Sequence, residues 1–587
     1  MLELLRRWWK PSTPDRDPLA LVASLPLFQG LDGAALRSLA EDLEWQSLPG
    51  GHVLFREGDH ADALYVLLSG LLGAYRQQGE GERQIGVIEA GETVGEMALL
   101  SGQPRVGTVR ALRDSELVRL SREAFDRLAH HHPKATLHVA RLAVQRLESA
   151  MHEPDGRTPR SIALIGLHPD LPLRRLADDL LHSLERFGPV RLIDQSQAAG
   201  LNAGELSALE SDQRVALYLA DYDDDANWRQ RCLRQADRLL LLADAEYAPE
   251  QALAIPRRGR IQSRWLLLRH RGAIRPGAAL AWSAACQTEH HHHWRQHEDL
   301  QRLARELVGQ AAGIVLSGGG ARGFAHIGVI RALREAGLQI DRVGGTSIGA
   351  LMAAGVALEW SDEEQVERMR RAFVATNPVN DYTLPLIALV RGRKASRMIA
   401  HHYGQQLDIE DLPLPFYCVS SNLTSGQVMI HQQGRLWRAL RASVAIPGLL
   451  PPVFEQGQVL VDGGVINNLP LDVMRQQMRG PVIGVDIAGE HAISAAVDET
   501  ESPALPRLLR QHYLQRGRRP GIAAILLRAG MVNSAATAAA NLAASDLVLR
   551  PPVNEIDLLD WRHFDRAIEI GYRYTQERLR ALPAWHG

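Results

Sequence analysis

Apolar positions in the first quarter of the chain change period several times. After a helical spacing at Ala34–Leu43, they fall into short alternating runs at Val53–Phe55, Ala63–Leu68, Gln84–Ile88 and Glu116–Leu120, divided by glycine turns. Alternation bounded by turn residues predicts short strands, and strands at this spacing predict a small β-barrel or sandwich. Helical patterns at Arg122–Ala129 and Lys134–Ser149 are expected to close it. The segment His152–Arg160, rich in Pro, Gly and charge, marks a boundary.

From residue 160 to 300 the pattern alternates between strand and helix periods: Ser161–Gly166, Leu173–Phe187, Val190–Ile193, Arg214–Ala220, Trp228–Ala236, Leu239–Ala243 and Trp265–Leu268. That succession predicts βαβ units and a small α/β layer. No glycine fingerprint or phosphate loop is read here, and a scaffold role is expected. Four consecutive histidines, His290–His293, point in different directions on either a helix or a strand, so they read as a solvated helix start and not as a metal site. Asp244 and Glu246 read as surface acids.

Beyond residue 308 the apolar runs become strand–turn–helix units. Ile314–Leu316 runs into Ser317-Gly318-Gly319-Gly320-Ala321-Arg322-Gly323 and a helix at about Ala325–Ala336. The expected division is 20–150, 160–300 and 308–587, with the core of the last at 311–488.

The chain has 587 residues and is 45% apolar, enough for three packed cores. With 66 Lys and Arg against 68 Asp and Glu, the formal charge of -2 gives no global field for drawing in a nucleic acid polymer. Cys232, Cys286 and Cys418 are too dispersed for a disulfide framework or a thiolate metal site, and suit a reducing compartment. Residues 1–10, MLELLRRWWK, lack the apolar core of a secretory signal, and no stretch reaches 18 continuously apolar residues. A cytoplasmic placement is expected, peripheral to a membrane at most. Trp8 and Trp9 beside Arg6 and Arg7 offer one short segment for such contact, although a frayed terminus is the plainer reading.

The chemistry concentrates in three places. The glycines of Gly318–Gly323 let bare amides converge on negative charge, either a phosphate or an oxyanion, but the Lys-Ser/Thr ending of a Walker loop is absent. Gly345-Thr346-Ser347-Ile348-Gly349 lies between the extended Ile340–Val343 and the apolar helix Ala350–Leu358, the context of a nucleophile elbow. Ser347 projects from the turn, and the Ile348 amide faces the oxyanion. The alternating strand Gln458–Asp462 places a carboxylate at its carboxyl end, before Gly463-Gly464-Val465-Ile466-Asn467-Asn468. Asp462 is the candidate base and His326, near the glycine turn, its weaker rival. Leu384–Val390, Ala445–Phe454 and the helix after Ser347 are candidates for an apolar channel. Arg391, Arg393 and Lys394 form a basic patch, read first as a solvated face.

These motifs, in this order, resemble the patatin-like phospholipase family, strongly over Ala311–Ala488 and weakly to Tyr574. The resemblance implies a C-terminal α/β hydrolase domain that cleaves acyl esters with a serine–aspartate dyad and no metal. Ser347 matches the nucleophile, Asp462 the base, and Gly318, Gly319, Gly320, Arg322 and Ile348 the oxyanion hole. Gly95–Leu100 and Pro104–Val109 resemble the phosphate-binding cassette of the cyclic nucleotide-binding domain family. That implies a jelly roll over residues 25–140, with Arg105 on a cyclic phosphate and Glu96 on the ribose hydroxyl. Val106 and Gly107 stand where two small residues, often alanines, are usual. The whole order resembles the neuropathy target esterase group, which implies a lysophospholipid substrate and the cyclic nucleotide as regulatory ligand. The alternatives are another patatin-type lipase or esterase, and a cyclic-nucleotide sensor whose hydrolase domain only binds partners.

Overall fold

The computed structural model describes residues 33–78, 81–131, 159–249, 262–488 and 541–581. The expected helix at Lys134–Ser149 and the Trp8–Trp9 segment lie outside them. Two compact units result. One contains Met1–Ala243, Gln251–Leu267 and Ala285–His291; the other contains Asp244–Glu250, Leu268–Ala284 and His292–Gly587.

In the first unit the N-terminal strands form two four-stranded sheets. One runs Leu43–Leu48, Ser115–Ser121, Ala63–Ser69, Thr93–Val94; the other runs Val53–Phe55, Thr108–Ala111, Leu72–Gln78, Gly81–Ile88. All neighbours are antiparallel. Leu48, Tyr65, Leu67 and Leu117 from one sheet share a core with Leu72, Ile88, Val109 and Ala111 from the other. Among the described residues no ladder joins the two sheets.

The same unit carries an α/β layer whose strands Val190–Ile193, Val215–Ala220, Ser161–Gly166 and Arg238–Asp244 pair in that order, all parallel. Buried on both faces, Ser161–Gly166 and Val215–Ala220 have no exposed residue, as parallel strands require. Arg113, in the turn before Ser115–Ser121, reaches this layer. It pairs with Glu210 at 3.0 Å and with Asp237 at 3.1 Å, so a half-buried cation is neutralised on both sides.

The second unit is built on one sheet in the order Val453–Glu455, Gln458–Asp462, Phe416–Asn422, Arg342–Thr346, Gly313–Leu316, Val482–Val485, Leu547–Leu549, with Gln427–His431 also pairing Phe416–Asn422. From Phe416–Asn422 to Leu547–Leu549 the strands are parallel. Gln458–Asp462 is antiparallel to Phe416–Asn422. The helix Ile348–Ala357 is buried at all ten positions, which explains why its sequence carries no polar face.

Two expectations fail here. His290–Trp294 is a strand, not a solvated helix start, and His292 and His293 are buried in it. His293 is held between His270 Nε2 at 2.8 Å and the Glu410 carbonyl at 3.0 Å. Asp244 is also buried, not superficial, with Arg271 at 3.3 Å and Arg269 at 3.7 Å supplying the opposite charge.

Candidate active site

Strand register brings Ser347 and Asp462 together. Thr346 lies opposite Val419, so Ser347 is level with Ser420, and Ser420 lies opposite Asp462. The sequence puts Asp462 at the carboxyl end of a strand, where α/β sheets display functional groups. Asp462 instead arrives on an antiparallel strand, and its row in the sheet, not its strand end, sets the placement.

Ser347 sits at φ 56, ψ -126, a conformation that L-residues avoid and that stores about 1–3 kcal/mol unless the surroundings enforce it. The enforcement is visible. Its N–H donates to Ser443 Oγ at 2.9 Å, and the Ser443 hydroxyl donates to the Val419 carbonyl at 2.7 Å. At Gly349 a Cβ would come within 2.2 Å of the Leu316 carbonyl oxygen, so only glycine lets the helix start close against the neighbouring strand.

Ser347 Oγ donates to Asp462 Oδ2 at 2.6 Å, while Asp462 Oδ1 accepts the Gly464 amide at 2.8 Å. Burial pushes the Asp462 carboxyl up to about 6, with the bonds from Ser347 and Gly464 opposing that shift. A carboxylate so placed accepts a proton more readily than a solvated one and remains ionised at neutral pH. His326 is fully buried and faces the Ser317 carbonyl at 2.9 Å; burial lowers its pKa to about 4. It braces the glycine turn as a neutral imidazole.

The glycine turn follows Gly313–Leu316 directly. Gly318 N–H is engaged by the Asn468 carbonyl at 3.3 Å, and Asn468 Nδ2 donates to the Gly318 carbonyl at 3.3 Å. Gly320 has φ 57, and a Cβ there would lie 2.1 Å from the Leu558 carbonyl oxygen. Two members of the expected oxyanion group make other contacts. The Gly318 amide already has an acceptor. The Arg322 guanidinium turns away, donating to the carbonyls of Ile556 at 2.6 Å and of Ala488 and Asn554 at 3.3 Å, where it fastens the closing segment.

Ser347 opens into a cavity of about 500 Å³, open solvent at its mouth included, lined by Ile348, Leu351, Phe373, Met398, Ile446 and Leu450 among others. Such a lining suits an apolar ligand with few polar anchors. Ile446 and Leu450 lie within the expected Ala445–Phe454 channel segment. Leu384, Leu386 and Ile387, expected to line it too, are exposed instead, as is Phe454. Ser443 and Asn468 were missed as functional positions. Asn468 belongs to the quoted motif; Ser443 lies in the amphipathic helix Leu436–Ser443 with no local signal.

In the N-terminal domain Arg105 and Glu96 are both 2% exposed. Arg105 donates to the Gly95 carbonyl at 3.0 Å and the Ala63 carbonyl at 2.7 Å, pairs with Asp62 at 3.2 Å, and stacks over Phe55 at 4.2 Å. Glu96 begins the helix Glu96–Ser101. The arginine expected on a phosphate is therefore engaged by protein acceptors in this conformation. Among the described residues no group of three or more His, Cys, Asp or Glu is arranged to hold a metal, and no helix is long and apolar enough to cross a membrane.

A mostly parallel α/β sheet thus carries a serine on a strained strand-to-helix turn with a carboxylate within hydrogen-bond reach, the arrangement expected of a nucleophile elbow. Residues 314–475 match the family described as Patatin-like phospholipase, residues 45–132 the Cyclic nucleotide-binding domain, and residues 158–306 the Neuropathy Target Esterase family P-loop like domain. An uncharacterized NTE family protein of Mycobacterium tuberculosis is 29% identical, with 98% of each chain covered. Patatin-like phospholipase domain-containing protein 6 of Homo sapiens is 29% identical over 92% of this chain and 44% of its own length. Lysophospholipase NTE1 of Pyricularia oryzae is 28% identical over 97% of this chain and 44% of its own. The chain belongs to the patatin/NTE-like phospholipase family, with an N-terminal cyclic nucleotide-binding domain. It is an ester hydrolase of lipid metabolism. The P-loop like description of the middle domain refines the scaffold reading, although residues 158–306 contain no Walker-type glycine–lysine loop.

Proposed function

We propose that the protein releases fatty acid from lysophospholipids through a Ser347–Asp462 dyad. The observation that carries this is the 2.6 Å hydrogen bond to buried Asp462 from Ser347 Oγ, itself part of the lining of an apolar cavity. In the first step Ser347 Oγ attacks the acyl carbonyl and Asp462 takes the hydroxyl proton. The amides of Gly319, Gly320 and Ile348 face the oxyanion, and the positive end of the helix Ile348–Ala357 adds to them. Asp462 then gives the proton to the leaving glycerol oxygen. Water activated by the same carboxylate cleaves the acyl-enzyme and regenerates Ser347. The cavity takes the acyl chain.

The one-chain substrate is supported by the name of the Pyricularia oryzae relative and by the apolar lining. It is tested by comparing kcat/KM for lysophosphatidylcholine with that for a two-chain phosphatidylcholine of the same acyl length. The lysolipid should be the better substrate; a reversal would leave another patatin-type lipase as the answer.

A cyclic nucleotide is the proposed ligand of the N-terminal domain, supported by the match over residues 45–132. Arg105 must exchange protein acceptors for the phosphate, which predicts weak affinity. Calorimetry with cyclic AMP and cyclic GMP on the parent and Arg105→Ala tests this: binding lost in the variant supports the site, and no heat with the parent at millimolar ligand removes it.

A further inference from the structure

Residues 376–392 connect the π-helical turn Arg370–Ala375 to the helix Arg393–Tyr403. At the tip of this loop Tyr382, Leu384, Leu386 and Ile387 are 72, 73, 83 and 66% exposed. Single exposed aliphatic residues are ordinary, but four within six positions form a patch that water disfavours.

The exposure is not that of a slack segment. Tyr382 bridges Val390, and Thr383 N–H donates to the Leu389 carbonyl at 3.0 Å. Arg391 N–H donates to the Asp381 carbonyl at 2.8 Å, closing the stem below. Leu389 and Val390 donate in turn to the carbonyls of Gly448 at 2.8 Å and Leu449 at 3.1 Å, while Ala388 and Val390 are buried. Beneath the stem Arg441, 6% exposed, donates to the Pro451 carbonyl at 3.0 Å and to Ser396 Oγ at 3.3 Å. The fold thus holds the stem and turns the apolar tip outward.

Two further features point to what the tip meets. Pro378 and Val379, just before it in the chain, line the cavity that holds Ser347. Residues 382–397 contain Arg391, Arg393, Lys394 and Arg397, all exposed, and no acidic residue. An apolar tip followed by cations matches the cross-section of an anionic lipid leaflet, with hydrocarbon inside and phosphate at the rim. A second copy of the chain fits less well, because a two-fold interface would set these four cations against their own images.

We propose that the Tyr382–Ile387 tip inserts into an anionic phospholipid bilayer, with Arg391, Arg393, Lys394 and Arg397 on its phosphates, so that substrate enters the Ser347 cavity from the membrane. This rests on the lipid-hydrolase reading above and adds the surface from which that lipid is taken. The test is sedimentation of the full chain with vesicles of phosphatidylcholine alone and with about 30% phosphatidylglycerol, for the parent and for the double variant Leu386→Asp, Ile387→Asp. The parent should bind the anionic vesicles, and the variant at least about tenfold less. Hydrolysis of a soluble short-chain ester should be unchanged in the variant, while hydrolysis of lysophosphatidylcholine carried in vesicles falls with binding. Equal vesicle binding by parent and variant, or no binding by the parent, overturns the proposal; so does equal binding to the two vesicle types. If the variant only converts a dimer to a monomer, the tip belongs to a second copy. Ser347→Ala separates the two readings: it should keep vesicle binding and lose ester hydrolysis, and if it hydrolyses normally the dyad fails while the docking surface stands.

Discussion

Replacing Asp462 by Asn should abolish turnover and yet make the protein more stable at neutral pH. A carboxyl that ionises near 6 in the fold and near 3.8 outside it holds its proton more tightly when folded. The stability linked to that proton is full below about pH 3.8 and is lost as the pH rises through about 6, leaving the ionised native state about 3 kcal/mol worse off. Asn stays neutral throughout and can keep both contacts: its Oδ1 accepts the Gly464 amide, and its Nδ2 donates to Ser347 Oγ. The variant should therefore gain up to about 3 kcal/mol at pH 8, and about half of that at pH 5, where the parent carboxyl is already mostly protonated. At roughly 2–4 °C per kcal/mol for a domain of this size, the C-terminal transition should rise by about 6–12 °C at pH 8. Scanning calorimetry of both proteins at the two pH values, with ester hydrolysis measured alongside, provides the assay. An Asn variant no more stable than the parent at pH 8, or an equal difference at pH 5 and pH 8, would refute the claim that Asp462 is a destabilised buried base.

The same carboxyl governs rate. kcat/KM should fall about tenfold per pH unit below about 6, as the base protonates, and stay level from there to pH 8; a profile flat down to pH 5 would exclude Asp462 as base. Ser443→Ala leaves the buried Ser347 N–H without its acceptor and should cost about 1–3 kcal/mol of stability and slow serine labelling, with Ser443→Thr restoring much of both. Unchanged labelling in Ser443→Ala would show that the elbow holds itself. Gly349→Ala must displace the Leu316 backbone and should yield insoluble or inactive protein; a soluble variant at parental activity would contradict the packing.

What the sequence disclosed follows the range of its signals. The elbow is local: five residues between a strand and an apolar helix specify Gly345–Gly349, and Ser347 was legible for that reason. Asp462 was legible as a carboxylate beside a glycine turn, but its antiparallel strand was not, because a period of two does not encode pairing direction. Ser443 was invisible, since its role comes from a contact 96 residues away and its helix spacing signals only packing. Arg322 and Gly318 were assigned by adjacency to the glycine run, whereas their partners lie at Ile556 and Asn468, set by tertiary structure. Leu384–Ile387 read as channel because they are apolar; composition cannot tell a buried wall from an exposed tip. The histidine run failed similarly, since the burial of His292 and His293 depends on neighbours such as His270 and Glu306.

Whether Ser347 is the nucleophile is decided by reacting the full chain with a fluorophosphonate and locating the adduct by peptide mass spectrometry, with Ser347→Ala and an active-ester assay in parallel. A single phosphonylated peptide carrying Ser347 is expected, with loss of hydrolysis in step with labelling and neither label nor turnover in Ser347→Ala. A label on another serine, or hydrolysis by Ser347→Ala at the parental rate, would contradict it.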